Sequence, residues 1–175
     1  LTGDITVGKE IRITEGTGSG TVNLCLNGHT FTSTVTGNPA ITVPDNVTLW
    51  LCDCQSGGKI ASGADILLKI GTKPGAAAAN LYGGTLESSG GNCCVQVYSK
   101  LTLDGATLKA RGYAIDTVTN SSVTIKSGTV ESSNTKQNQA YGVHVQTADF
   151  TMTGGEIKHT ANGEAAVYFV TSGGG

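Results

Sequence analysis

Five side chains of types that bind or react recur at one place in a repeated four-residue pattern: Thr42, Gln96, Asp116, His144 and Tyr168. Each is third in a run of small, aliphatic, variable, apolar: Ala40-Ile41-Thr42-Val43, Cys94-Val95-Gln96-Val97, Ala114-Ile115-Asp116-Thr117, Gly142-Val143-His144-Val145 and Ala166-Val167-Tyr168-Phe169. Tyr113 and Tyr141 stand just before the small residue of two successive copies. Stacking the copies would put two aromatic rings beside a row of Gln96, Asp116, His144 and Tyr168. Such a surface suits a sugar, whose C–H face packs on aromatic rings while its hydroxyls need donors and acceptors. The plainer reading is that these side chains are solvated and that the tyrosines brace a turn.

Catalysis asks for more than this row offers. Glycoside hydrolysis needs two carboxylates about 5–9.5 Å apart, and Asp116 is the one that the pattern places on this face. His144 could serve as a base oriented by Asp116, but no nucleophile or metal cluster joins them. Arg12 and Arg111 are the only guanidinium groups, a thin cation set for uronate-lyase chemistry. The expectation is a chain that is not an enzyme and needs no cofactor. No Asp-x-Asp-x-Asp-Gly loop is present to hold calcium.

The elements that would position the row follow from an internal repeat. A small residue followed three places later by an apolar one occurs six times: Gly28 to Phe31, Gly57 to Ile60, Gly83 to Leu86, Gly105 to Leu108, Ser127 to Val130 and Gly154 to Ile157. The copies are roughly 22 to 29 residues apart, too short for a βαβ unit and right for one coil of a solenoid. Two residues before the small residue stand Leu26, Leu81, Leu103, Ile125 and Met152, and four before it Leu24, Leu101, Val123 and Phe150. That alternation describes a strand with one buried face. The run from Ile66 to Ile70 is apolar throughout and leaves its register open.

Stacked coils place equivalent side chains about 4.8 Å apart, so outward columns should form ladders. After the apolar member of the repeat come Glu87, Lys109, Glu131 and Lys158, alternating in sign as neighbouring charges should. Thr85, Thr107 and Thr129 form a second ladder and Thr102, Thr124 and Thr151 a third. The predicted fold is all-β, a right-handed parallel β-helix of about six to seven coils, with residues 1–170 as one domain and 171–175 as a Gly-rich tail or linker.

Composition agrees. The 175 residues include 26 Gly and only 14% charged and 5% aromatic residues, which fits neither a helical bundle nor a charged disordered tail. The net charge is −2 and no basic run occurs, so neither nucleic acid nor an anionic membrane surface is an expected partner. No apolar run reaches the ~18 residues of a membrane span, so no membrane insertion is expected. Leu1 begins mid-pattern and Gly173 to Gly175 end the chain, which reads as one module of a longer polypeptide with neighbouring domains.

Five cysteines cannot all pair within one chain. Cys94 occupies the small-residue slot and reads as a buried thiol; Cys93 is left unassigned. Cys25, Cys52 and Cys54 share one strand face, so Cys25 can pair with Cys52 or with Cys54 across one strand spacing. The alternative is a metal site of these three thiols with His29, against which stands the Cys-x-Cys spacing, unusual for zinc.

The runs LTGDITVGKEIRI, VNLCLNGHTF, ITVPDNVTLWLCDC and GGKI resemble repeats of large secreted and cell-surface proteins of anaerobic gut bacteria, in the pectin-lyase-like β-helix superfamily. Leu26 to Thr30 is the sharp signature, and the resemblance runs from Leu1 to about Phe169. It implies a β-helix with an adhesin or carbohydrate-binding role outside the cell, and matches no lyase motif. It also implies a structural part for His29 in coil geometry, with Asn27 and Gly28 turning the chain.

The function expected from all this is a non-enzymatic extracellular module binding a glycan or host-surface ligand through Gln96, Tyr113, Asp116, Tyr141, His144 and Tyr168. The alternatives are a structural stalk or filament segment, which needs no ligand, and a phage tail fibre or spike segment. Exposed coil ends offer unpaired strand edges, so end-to-end or side-by-side self-association belongs to either alternative. Ice binding is disfavoured because the Thr ladders share their surface with Glu and Lys.

Overall fold

The computed structural model describes residues 1–13, 20–135, 141–161 and 165–170; the tail expected at 171–175 lies outside them. The strands in chain order are β1 (Ile5–Val7), β2 (Ile11–Arg12), β3 (Gly20–Cys25), β4 (Thr30–Ser33), β5 (Ile41–Val43) and β6 (Val47–Cys52). Then come β7 (Lys59–Ser62), β8 (Ile66–Ile70), β9 (Ala78–Leu81), β10 (Thr85–Ser88), β11 (Cys93–Val97) and β12 (Lys100–Ala110). The last are β13 (Tyr113–Thr117), β14 (Ser122–Ser132), β15 (Val143–Gln146), β16 (Asp149–Met152), β17 (Glu156–His159) and β18 (Val167–Val170). Among the described residues there is no helix, and so none long and apolar enough to cross a membrane.

Every pairing is parallel, and the chain returns to the same rank of strands once per circuit. One rank runs β3, β6, β9, the first half of β12, the first half of β14, then β16. The second runs β1, β4, β7, β10, the second halves of β12 and β14, then β17. The third, a separate sheet, runs β2, β5, β8, β11, β13, β15, β18. The repeat found in the sequence is the second rank: Phe31, Ile60, Leu86, Leu108, Val130 and Ile157 are successive register partners, and Ile5 precedes Phe31. Five of these side chains, Phe31 through Val130, are buried, each contributing about 1.5–3 kcal/mol if fully withdrawn from water.

The first coil departs from the predicted alignment. Leu24, not Leu26, is the partner of Leu51 and so heads the column of Leu81, Leu103, Ile125 and Met152. Val22 correspondingly takes the place expected of Leu24. The cause is local: Asn27 and Gly28 take positive φ, and the amide of His29 donates to the carbonyl of Leu26. This turn moves Leu26 past the strand end into a fully buried place against Gly58 and Gly84, where an added Cβ would come within 2.6 Å of it.

β12 and β14 each serve two ranks by bending at a glycine. Their register slips between Leu103 and Thr107, and Gly105 and Gly128 adopt φ of 118° and 101°. A Cβ on Gly128 would lie 2.2 Å from the Ala106 carbonyl oxygen, so only glycine turns this corner.

One inward column escapes a reading based on apolar periodicity. Ser33, Ser62, Ser88 and Ser132 lie in register with Ala110 and are buried. Three of them end their strands alike, the hydroxyl accepting from the amide two residues on: Val35 to Ser33, Ala64 to Ser62 and Asn134 to Ser132. A short side chain here satisfies the backbone as it leaves the sheet.

Candidate aromatic row and thiol cluster

The third rank carries the row that the sequence singles out. Gln96 lies on β11, Tyr113 and Asp116 on β13, His144 on β15 and Tyr168 on β18, with Tyr141 two residues before β15. Gln96, Asp116, His144 and Tyr168 are successive register partners. The column continues the other way through Lys69, Thr42 and Arg12. The open register at 66–70 thus resolves with Lys69 in the variable slot and Leu67, fully buried, in the small one. Thr42 and Asp116 are nearly covered, at 3% and 9% exposed, so the column is less open than alternation suggests. Neighbouring long side chains do the covering: Thr42 donates its hydroxyl to Glu10 at 2.6 Å.

Asp116 is the hub of the polar part. Its Oδ1 lies 2.9 Å from His144 Nδ1, and its Oδ2 accepts from the Gln96 amide at 3.5 Å. A carboxylate at Nδ1 favours the proton there, which leaves Nε2 as the acceptor of the ring. Gln146 Nε2 also lies 3.2 Å from His144 Nδ1, a close contact rather than a second hydrogen bond when that nitrogen carries the proton.

The aromatic part forms one stack. Tyr141 and Tyr168 lie 4.2 Å apart at 7°, Tyr113 and His144 5.2 Å apart at 19°, and Tyr113 and Tyr141 6.5 Å apart at 9°. His144 and Tyr168 are 6.0 Å apart at 10°. All six predicted residues therefore come together. Their geometry differs from the expectation in one respect: the rings stack along the column, so most ring faces turn toward one another. Tyr168, 41% exposed, offers the most open ring of the row.

A second aromatic pair was missed. Trp50 and Tyr82, 44% and 39% exposed, lie 5.4 Å apart with planes tilted by 32°. Trp50 is the register partner of Asn23 and Asn80, in the outward column that continues through Thr102, Thr124 and Thr151. The placement was legible: Trp50 alternates with Leu49 and Leu51, which fixes it as outward, and with Tyr82 beside it the two rings make an exposed aromatic pair.

The charge ladder holds in register, with Glu87, Lys109, Glu131 and Lys158 as consecutive partners. The ladder residues that close ion pairs do so with partners outside the column: Glu87 with Lys59 at 3.2 Å and Lys158 with Glu156 at 2.8 Å. A cleft of about 200 Å³ opens beside the ladder, lined by Glu87, Lys109, Arg111 and Glu131. It shares no residue with the aromatic row.

Of the two pairings left open, the structure contains the disulfide between Cys25 and Cys54, with Cα atoms 6.4 Å apart. Cys52, the register partner of Cys25, keeps a free thiol 3.9 Å from the sulfur of Cys54. All three sulfurs lie within 4.8 Å of one another. His29 is not among them and faces Asp4, with Nδ1 3.4 Å from a carboxylate oxygen. Cys93 and Cys94 are fully buried, and burial pushes both thiols far up from their ordinary range. No family model, curated protein or solved structure matches this chain.

Proposed function

We infer that the chain is a non-enzymatic, extracellular surface module that binds a glycan or host-surface ligand, built on a right-handed parallel β-helix of about six to seven coils. The observation that carries this reading is the single stack of Tyr113, His144, Tyr141 and Tyr168 beside the Gln96 and Asp116 acceptors and donors. Aromatic surface next to fixed polar groups is what sugar recognition requires. The β-helix assignment rests on the parallel ranks revisited in order and on the strong preference of parallel crossovers for the right hand. Its likeness to pectin-lyase-like surface proteins of anaerobic gut bacteria rests on the repeats quoted above. The Cys25–Cys54 disulfide favours an oxidising, extracytoplasmic setting.

A structural stalk is the second reading, and one observation favours it: the ring faces of the row are largely taken up by one another, an arrangement that stabilises the rank without any ligand. Glycan-array screening of the full chain beside Tyr168→Ala, the double variant Tyr113→Ala, Tyr141→Ala and Trp50→Ala separates the two. Binding lost in the tyrosine variants supports the proposed site. Binding lost only in Trp50→Ala moves the site to the other aromatic pair. Absence of binding by the unaltered chain leaves the stalk.

A further inference from the structure

Three cysteines within 4.8 Å of one another are one more than a disulfide needs. We propose that, once a thiol or phosphine reductant has supplied the two electrons that split the Cys25–Cys54 bond into two thiols, Cys25, Cys52 and Cys54 form a trigonal three-thiolate site for a thiophilic d10 cation, Cu(I) foremost.

Distances come first. A metal–sulfur bond of about 2.3 Å separates two sulfurs by about 3.8 Å in a tetrahedral site and about 4.0 Å in a trigonal one. Cys52 and Cys54 already stand 3.9 Å apart, and the whole triangle lies within 4.8 Å. Disulfide relay would ask for something else. A thiolate attacks a disulfide sulfur along the bond axis, so Cys52 acting on Cys54 would need the outer sulfurs about 6 Å apart, the 3.9 Å gap lying in line with a bond of about 2 Å. The three sulfurs form a triangle whose one short edge is the Cys25–Cys54 bond, and breaking that bond frees this edge to open to the spacing a shared ion needs.

The donor set selects the ion. Asp53, between Cys52 and Cys54, is the nearest hard ligand in sequence, but its two carboxylate oxygens accept from the amides of Gly28 and Gly58, each at 2.7 Å. His29 is drawn away toward Asp4. Three soft sulfurs without an oxygen or imidazole favour Cu(I) over the hard divalent cations. Binding releases the thiol protons, one for each ligand that was protonated.

The site is also held ready. Cys25 and Cys52 are fixed opposite each other by the register of β3 and β6, and the Asp53 carboxylate ties the Cys54 loop to two turns. The amide of Cys54 donates to the Cys25 sulfur at 3.3 Å, which fixes that sulfur against the loop. Cys54 is exposed and its partners half-buried, so an ion can reach them. Cys93 and Cys94 are sealed in the core and do not compete.

The test is titration of the full chain with Cu(I) under anaerobic, phosphine-reduced conditions, in competition with a chromophoric Cu(I) chelator, read by sulfur-to-metal charge-transfer absorbance. One ion per reduced chain is expected, and none after the disulfide is re-formed. Cys52→Ser keeps the disulfide when oxidised, shown by a mass two hydrogen atoms below the reduced form, and when reduced binds Cu(I) at least about 100-fold more weakly, beyond what loss of a residue that only orients a ligand costs. Cys54→Ser weakens it similarly, and the β-type circular dichroism of both variants checks the fold. No uptake by the folded, reduced chain would overturn the proposal. So would unchanged affinity in folded Cys52→Ser.

Discussion

Asp116 and His144 are neighbours twice over, as register partners on β13 and β15 and as hydrogen-bond partners at 2.9 Å. Their side chains are only 12% and 15% exposed, so water screens the contact poorly. A charge-assisted bond in this setting contributes more than an exposed pair would.

Asp116→Ala should therefore cost about 1–3 kcal/mol in urea unfolding, since it leaves His144 without its carboxylate partner. His144→Ala should cost a similar amount. The double variant should cost less than the two together by at least about 0.5 kcal/mol. Strict additivity would show that the bond contributes nothing to folding.

Alkylation of the folded, oxidised chain should label Cys52 alone. Cys93 and Cys94 are fully buried, and burial raises their thiol pKa values, Cys93 further through the nearby Asp116. The thiolate is the reactive form, so both should stay unlabelled until denaturant is added. Peptide mass spectrometry before and after unfolding reads this directly.

Gly112→Ala should be among the most disruptive single-methyl additions. A Cβ there would sit 1.9 Å from the Asn92 carbonyl oxygen, and one on Gly90 would sit 1.9 Å from that of Ala64. Backbone cannot rotate aside as a side chain can, so a loss of roughly 3 kcal/mol or more is expected. Gly91→Ala, whose Cβ meets nothing within 4 Å, is the control and should change stability by less than about 1 kcal/mol. Thermal unfolding of the pair gives the comparison.

Asp45 gives a pH dependence with a definite sign. The Thr72 hydroxyl at 2.6 Å, then the Thr72 amide at 2.8 Å, hold its carboxyl below the ordinary value of 3.8. A depressed folded-state pKa adds stability above the ordinary value, and that stability is lost as pH falls through the depressed one. The group is almost wholly in solvent, so the effect is well under 1 kcal/mol. The stability difference between the unaltered chain and Thr72→Val should be present at pH 6 and fade below about pH 4; a difference that grows in acid would contradict the assignment.

Much of the β architecture was legible because period-two alternation and a fixed repeat are both written in side-chain type. The repeat from Phe31 to Ile157 carries its own alignment, and the strand register follows it. Leu26 was misplaced because a turn with two left-handed residues, Asn27 and Gly28, moves it off the strand, and alternation carries no record of that. Lys69 stayed hidden since Leu67 fills a slot that other copies give to a small residue. That the six residues of the aromatic row lie together follows from their place in the repeat, but ring orientation depends on rotamers that spacing does not encode. Trp50 and Tyr82 are harder to single out, because Trp50 stands in a column whose other members, Asn23, Asn80, Thr102, Thr124 and Thr151, are plain ladder formers. That Cys25, Cys52 and Cys54 meet was legible from strand parity, whereas the choice of Cys54 over Cys52 as the partner of Cys25, and the turning away of His29, depended on the loop after β6, which no periodicity describes.

The return of the chain to the same three ranks also decides how this protein comes apart. Each rung touches only the one before and the one after, so stability is a sum of local terms and nearest-neighbour couplings, and damage in one rung is felt mainly by two others. The middle rungs, from β8 to β13, are mostly sealed, whereas β1, β16, β17 and β18 remain half in water. Amide exchange should form a gradient along the axis, fastest at the outer rungs and slowest near Val95 and Ile115, where a global melting temperature would register only the last part to open.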